Sequence, residues 1–312
     1  MKKINNFELS DTNKRYHTYD YYLKRKFGVK CVKVTLDCGF TCPNKDGTKG
    51  YGGCTYCSGT FTNTSRQSVT EQFHTAKANL NRKWHDVKYI PYFQAYTNTY
   101  APLDVLKPLY EEALSLPDVI GLDIATRADA LADDVADYLR ELSERTFVTV
   151  ELGLQTIHDI TAERINRCHS YDEFLNGYNK LADSNIDVCV HIINGLPGET
   201  KSMMLDTVRE LARIRPNGIK IHLLHVLENT VAAEQYRNGE FDTLSFEVYT
   251  DIVVSQLQLL PPDIYIGRIT GDGHKDEVTA PRWSLNKLAV MNGIDKLMAA
   301  RDIYQGDLYK KF

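Results

Sequence analysis

Seven short apolar runs, separated by stretches with helical spacing, constrain this chain more than any other feature. Residues 31–36 alternate like a strand, and 89–94 form an apolar run that suits a buried one. Further strands are expected at 119–124, 147–153, 186–193, 219–224 and 264–269. Between them, 68–83 reads as a helix, and Leu103, Leu106, Tyr110 and Leu114 share a helical face opened by Pro102. Pro108 either kinks that helix or marks its true first turn. Leu131, Val135, Leu139 and Leu142 line another helix, and helical stretches run up to Ala182, from the 195–200 turn through Leu211, and from Phe246 to Leu260. Strand and helix alternating in this way imply βα units on a parallel sheet, hence an α/β fold, either barrel-like or doubly wound. No Gly/Ser/Pro linker interrupts the pattern, so one domain is expected, with function at the C-terminal ends of the strands.

The first strand runs straight into such an edge loop, and it is rich in cysteine. Cys38, Cys42, Cys54 and Cys57 fall within twenty residues, among Gly39, Pro43, Asn44, Gly52 and Gly53. Thiolates are soft ligands that favour zinc or iron–sulfur clusters. With all four, a tetrahedral structural zinc site could close, making the chain a zinc-binding interaction module. With Cys42, Cys54 and Cys57 alone, a four-iron cluster would keep one iron open to another molecule. Cys31, Cys168 and Cys189 stand apart, with no second short-spaced set.

No apolar run of about 18 residues occurs, and 1–6 lacks the apolar segment of a secretory signal, so a cytoplasmic protein with reduced thiols and no membrane partner is expected. The net charge of −4 hides an asymmetry. Lys2, Lys3, Lys14, Arg15, Lys24, Arg25, Lys26, Lys30 and Lys33 face only Glu8, Asp11 and Asp20 in the first 33 residues. Tyr16, Tyr19, Tyr21, Tyr22 and Phe27 interleave with them. Such a segment could contact phosphates and stack on bases; the alternative is an amphipathic helix that packs its rings on the body with lysines outward.

Cys54-Thr55-Tyr56-Cys57 resembles the end of the three-cysteine motif of radical S-adenosylmethionine (SAM) enzymes. The usual first spacing is three residues, whereas eleven separate Cys42 from Cys54. A YtqA/YhcC-like (MnmL-like) branch, related to Elongator-type enzymes and oxygen-independent coproporphyrinogen dehydrogenases, has this long loop, similar to residues 40–48 and 52–54. The resemblance covers nearly the whole chain. It implies a (β/α)6 partial TIM barrel at 31–270, with a basic aromatic N-terminal extension at 1–30 and a C-terminal helical extension at 271–312. Cys42, Cys54 and Cys57 are implied ligands of a 4Fe-4S cluster, and Cys38 a buried bystander. SAM is implied to meet Tyr56 at its adenine, Gln94, Thr97 and Asn98 of the 93–100 loop at its amino group, Gln155 at its ribose and Arg167 at its carboxylate. Arg127, Glu151 and His191 complete the implied contacts. Two positions depart from the relatives: His191 stands where an Asp is found, and Ala125 where an acid is common. Taken without the resemblance, His191, Glu151 and Gln155 could equally satisfy polar groups inside a barrel, and Arg127 and Arg167 could be salt-bridge partners.

The resemblance implies a single-cluster enzyme that cleaves SAM and abstracts a substrate hydrogen, supplied with electrons by a flavodoxin or ferredoxin. Similarity to Elongator-type enzymes implies tRNA as substrate rather than DNA, in wobble-uridine side-chain modification from carboxymethylaminomethyl-uridine toward aminomethyl-uridine. Radical decarboxylation or dehydrogenation of a small molecule is the rival reaction. Arg282, Trp283 and Asn286 could line the open side of the barrel, or Trp283 could anchor the terminal helix in the core.

Overall fold

A computed structural model describes residues 5–58, 67–94, 96–271 and 273–310. In chain order the elements are α1 (Tyr19–Phe27), β1 (Cys31–Leu36), α2 (Val69–Leu80), β2 (Lys88–Phe93), α3 (Leu103–Leu114), β3 (Gly121–Thr126), α4 (Asp133–Ser143), β4 (Phe147–Gln155), α5 (Asp159–Arg164), α6 (Tyr171–Ala182), β5 (Asp187–Asn194), α7 (Lys201–Ile214) and β6 (Gly218–Leu223). There follow β7 (Val226–Leu227), α8 (Val231–Arg237), α9 (Phe246–Leu259), β8 (Tyr265–Arg268), β9 (Val278–Ala280) and α10 (Lys287–Ala300). Helix starts follow capping chemistry: Ser68 and Ser170 each form a reciprocal capping box, with Glu71 and Glu173. Pro108 lies inside α3, behind Pro102 at the cap.

Seven strands form one parallel sheet in the order β1-β2-β3-β4-β5-β6-β8. One face is apolar: Val148, Val150, Leu152 and Leu154 of β4 and Ile219, Ile221 and Leu223 of β6 join Phe73, Tyr110, Leu139, Phe174, Leu211 and Val253 of the helices in the main core. The intervening residues, among them Thr149, Glu151, Lys220 and His222, take the other face. Lys220 on β6 reaches Tyr92 on β2 at 3.4 Å. Four strand spacings in a flat sheet would part them by roughly 19 Å. The sheet is therefore curled into an open half-barrel, its polar face turned inward, as the βα alternation and the family resemblance lead one to expect.

The N-terminal segment closes the lower end of this trough. Ile266 N–H donates to the His17 carbonyl at 2.7 Å, extending the β8 edge, while Tyr22 stacks on Tyr265 and Tyr19 meets it tilted, each with ring centres 4.7 Å apart. Leu23, Cys31, Ile90 and Phe147 pack as a plug. The basic residues here are largely neutralised: Lys14 pairs with Asp295, Arg15 with Asp302, Lys24 with Asp11, Lys26 with Asp187 and Lys30 with Asp20. Of the two readings of this segment, the packed amphipathic helix is the one observed; Lys2 and Lys3 lie outside the described residues.

At the other terminus, α10 packs on α9. Trp283 Nε1–H donates to the Leu244 carbonyl at 3.1 Å, and the ring meets Phe246 and Tyr249. Arg282 donates to the Lys275 and Val278 carbonyls, and Asn286 caps α10. Of the two readings of Trp283, the anchor for the terminal helix is the one observed; Asn286 starts that helix and Arg282 ties down the 275–278 stretch before it. Among the described residues, no helix is long and apolar enough to cross a membrane.

Candidate active site

The cysteine loop is braced before it reaches the cavity. Gln72 clamps the strand exit, accepting from Asp37 N–H at 2.9 Å and donating to its carbonyl at 2.8 Å. Asn44, fully buried, accepts from Gly53 N–H through its carbonyl at 2.8 Å and donates through Nδ2 to the Asn166 carbonyl. Asn166 Nδ2 returns a bond to the Gly53 carbonyl at 2.8 Å. Gly52 and Gly53 sit at φ +79° and +81°, a conformation that side chains disfavour, and this reversal sets Cys54 facing inward.

Cys42, Cys54 and Cys57 line one cavity of about 430 Å³ at the C-terminal ends of the strands, together with Tyr56, Gln94, Thr97, Arg127, Glu151, Gln155, Arg167 and His191. Every residue implied as a cluster ligand or SAM contact is there except Asn98. Its side chain is wholly buried, with Nδ2 donating to the Ala125 carbonyl at 2.9 Å, so it ties the loop after β2 to the end of β3 and does not face the cavity. Ala95, in the same loop, lies outside the described residues. Cys38 is also elsewhere: it packs against the main core, and burial, with Asp37 beside it, pushes its thiol up to about 12. A four-cysteine zinc site is not assembled by this geometry.

Two arginines flank the thiols. Arg127 holds Asp129 through Nε and Nη2 at 2.9 and 3.0 Å and the Arg167 carbonyl through Nη1 at 2.9 Å. Its charge acts on Cys42 and Cys54; burial raises the Cys54 thiol, and Arg127 opposes that rise. Arg167, 1% exposed, donates to the Thr156 carbonyl at 3.0 Å and to the His169 carbonyl at 2.9 and 3.2 Å. Each guanidinium has five N–H groups, so two remain on each for a ligand. Gln155 adopts φ +68° at a β-bulge, and its amide lies across Gly153, where a Cβ would come within 2.9 Å. That explains the Gly-x-Gln spacing: a side chain at 153 would block the amide's place on the cavity wall.

Below these groups lies a charged layer that sequence reading missed. Glu151 accepts from Lys33 at 2.7 Å, Lys220 at 2.5 Å, Tyr92 at 2.6 Å and His191 Nε2 at 2.9 Å, and Lys33 also reaches Asp123. Burial would raise both carboxyls. At Glu151 the two lysines and His191 outweigh it and hold the group well below its usual value, whereas Asp123, with Glu151 nearby, is pushed up to about 7. Burial lowers His191 and Lys220, and drives His222 well below the usual histidine value with His191, Arg268 and Lys220 alongside. Glu151, Cys189 and His191 bring ligand atoms within 4.8 Å of one another, but two lysines already hold the carboxylate, so a cation is disfavoured there. The missed signal was local: Gly-Ile-Lys-Ile-His-Leu and Gly-Leu-Asp-Ile alternate, whereas strands of a parallel sheet buried on both faces read as near-continuous apolar runs.

Comparison with known proteins agrees with this architecture. The profile of the Radical SAM superfamily matches residues 46–211, and that of the Radical_SAM C-terminal domain matches 216–300. The chain is 48% identical to the uncharacterized protein YtqA of Bacillus subtilis, over 100% of this chain and 98% of that one. A tRNA uridine(34) acetyltransferase of Methanocaldococcus jannaschii is 27% identical over 49% of this chain, which spans only 28% of that relative. Among solved structures, the Elp3 of Methanocaldococcus infernus with an N-terminal deletion superposes with a TM-score of 0.70 at 17% identity, over 88% of this chain and 64% of that one.

Proposed function

The chain belongs to the radical SAM superfamily, and on that footing we propose that it is a tRNA-modifying enzyme acting on the wobble-uridine side chain, carrying carboxymethylaminomethyl-uridine toward aminomethyl-uridine. As a member of that superfamily it is an enzyme that uses a 4Fe-4S cluster and SAM. The observation that carries the site assignment is the separation of the cysteines: three unpaired thiols face one cavity and the fourth packs into the core. The cavity fits the two groups. Three soft thiolates can hold a cluster while leaving one metal position open. His169 Nε2 is sheltered there without a hydrogen-bond partner, its imidazole pushed down to about 3 by burial with Arg167 beside it. When bound, cluster and SAM supply the one-electron cleavage that removes a hydrogen atom from substrate.

In this reading the chain's residues bind, orient and exclude water. Cys42, Cys54 and Cys57 ligate the cluster. Arg127 places positive charge beside the thiolates, and Arg167 and Gln155 present the N–H groups that suit the carboxylate and ribose of SAM. Tyr56, packed with Ile165, Ile193, Leu196 and Leu224, offers an apolar wall to adenine. Gln94 and Thr97 approach from the β2 side, while His191 reaches the cavity and is oriented by Glu151 below. The tRNA assignment draws on the similarity to the uridine(34) acetyltransferase over half the chain, and not on the basic N-terminus, whose charges are largely paired among the described residues. A flavodoxin or ferredoxin would supply the electrons, and the cytoplasm, where thiols stay reduced, suits the site. The test is mass analysis of tRNA nucleosides from a strain lacking the protein. Carboxymethylaminomethyl-uridine should accumulate and aminomethyl-uridine disappear; an unchanged profile rejects the tRNA reading.

A further inference from the structure

The polar groups on the cavity floor largely satisfy one another, and His222 stands out. Glu151 is filled by Lys33, Lys220, Tyr92 and His191. His222, on β6 two residues beyond Lys220, lies roughly 6.6 Å nearer the strand end, between that charged layer and the cysteine loop. Its Nε2 is sheltered from solvent and has no hydrogen-bond partner, while its ring meets that of His191 at 5.1 Å. A buried nitrogen left unpaired destabilises the unliganded protein, and a ligand that pairs with it removes that deficit.

We propose that His222, in the positive field of Arg268 and Lys220, receives a carboxylate on the substrate's side arm and so selects arms that bear a carboxylate over arms that lack one. This rests on the tRNA reading above. Three features point to a carboxylate. Lys220 and Arg268 make the field at the imidazole positive, which favours the carboxylate end of a zwitterionic arm there over its ammonium. The nearest anionic group, Glu151, already has four donors and cannot serve as the imidazole's partner. Carboxylate oxygens only accept hydrogen bonds, so they match a neutral imidazole that donates one. His169, another cavity histidine with a sheltered unpartnered Nε2, stands beside Arg127 and Arg167 and so faces the cofactor side.

The test measures binding to the reconstituted full-length protein of an anticodon stem-loop RNA carrying carboxymethylaminomethyl-uridine, the same RNA carrying aminomethyl-uridine, and the free carboxymethylaminomethyl-uridine nucleoside. The protein should hold the RNA whose arm bears the carboxylate at least about tenfold tighter than the one whose aminomethyl arm lacks it, the lower limit expected for one hydrogen bond to a charged group. His222→Leu should erase that preference, and His222→Gln, which keeps an N–H donor, should retain part of it. SAM affinity in both variants should stay within about twofold of the parent, separating loss of the contact from collapse of the site. An undiminished preference in His222→Leu overturns the proposal. If neither RNA binds but the free nucleoside binds the parent and not His222→Leu, the tRNA reading fails and the carboxylate site stands. If the nucleoside binds both alike, or neither, the carboxylate site fails.

Discussion

Replacing Glu151 with Gln tests whether the charged layer is a structural floor or a cofactor contact. The carboxylate is the shared acceptor of Lys33, Lys220, Tyr92 and His191. In the variant Lys33 keeps Asp123, which loses its anionic neighbour and ionises more fully. Lys220 loses its carboxylate and is left with neutral partners, the Gln amide oxygen and the Tyr92 hydroxyl at 3.4 Å. The net loss is one buried ammonium without a carboxylate, worth about 3–5 kcal/mol. For a chain of this size roughly 2 °C of melting temperature corresponds to 1 kcal/mol, so the cluster-free protein should melt about 6–10 °C lower. Glu151→Leu combined with Lys220→Met removes both charges and should recover most of that loss. Thermal melts at pH 7 read the first quantity, and SAM affinity of the reconstituted protein reads the rival one. A Glu151→Gln protein that melts within about 2 °C of the parent yet binds SAM poorly would refute the structural role and make Glu151 a direct cofactor contact.

Two further expectations concern the same cavity. Asp123 titrates higher folded than unfolded, so it binds protons more readily in the native state, and the stability it contributes at low pH is lost as pH rises from about 4 to 7. Asp123→Asn, which mimics the protonated form, should therefore gain stability relative to the parent across that window and level off above it; a difference in melting temperature that stays flat with pH contradicts this. Gly53→Ala places a Cβ at φ +81° and within 3.1 Å of the Lys45 side chain, which should cost about 1–2 kcal/mol and lower iron content on reconstitution; unchanged iron content and melting temperature would show that the loop does not need its left-handed turn.

Much of the fold was legible because strand and helix periodicities are local. The strand at 31–36 matches β1, and the others lie within about two residues of the observed ends. Pairings that are not local were not legible. Lys14 meets Asp295 across 281 positions, and no local pattern says that a basic terminus is neutralised so far along the chain. The helical stretch up to Ala182 divides into α5 and α6, with Arg167 in the turn between them, because Asn166 and Cys168 adopt positive φ, which a continuous right-handed helix does not allow. The short pair β7 and β9 gave no signal, since strands of two and three residues carry no period. At the site, Cys42, Cys54, Cys57 and their arginines were found through motif resemblance. Lys33, Tyr92, Asp123, Lys220 and His222 lie inside the expected strands, where alternation can mark a polar face but not which of its side chains meet; the curl of the sheet decides that.

The most direct test is iron, sulfide and SAM cleavage measured after anaerobic reconstitution of Cys42→Ala, Cys54→Ala, Cys57→Ala and Cys38→Ala. Each of the first three should lose the cluster and SAM cleavage, while Cys38→Ala should keep iron, sulfide and cleavage near the parent's level. Full cleavage in any of the first three, or a colourless zinc protein that loses its metal with Cys38→Ala, would contradict the account.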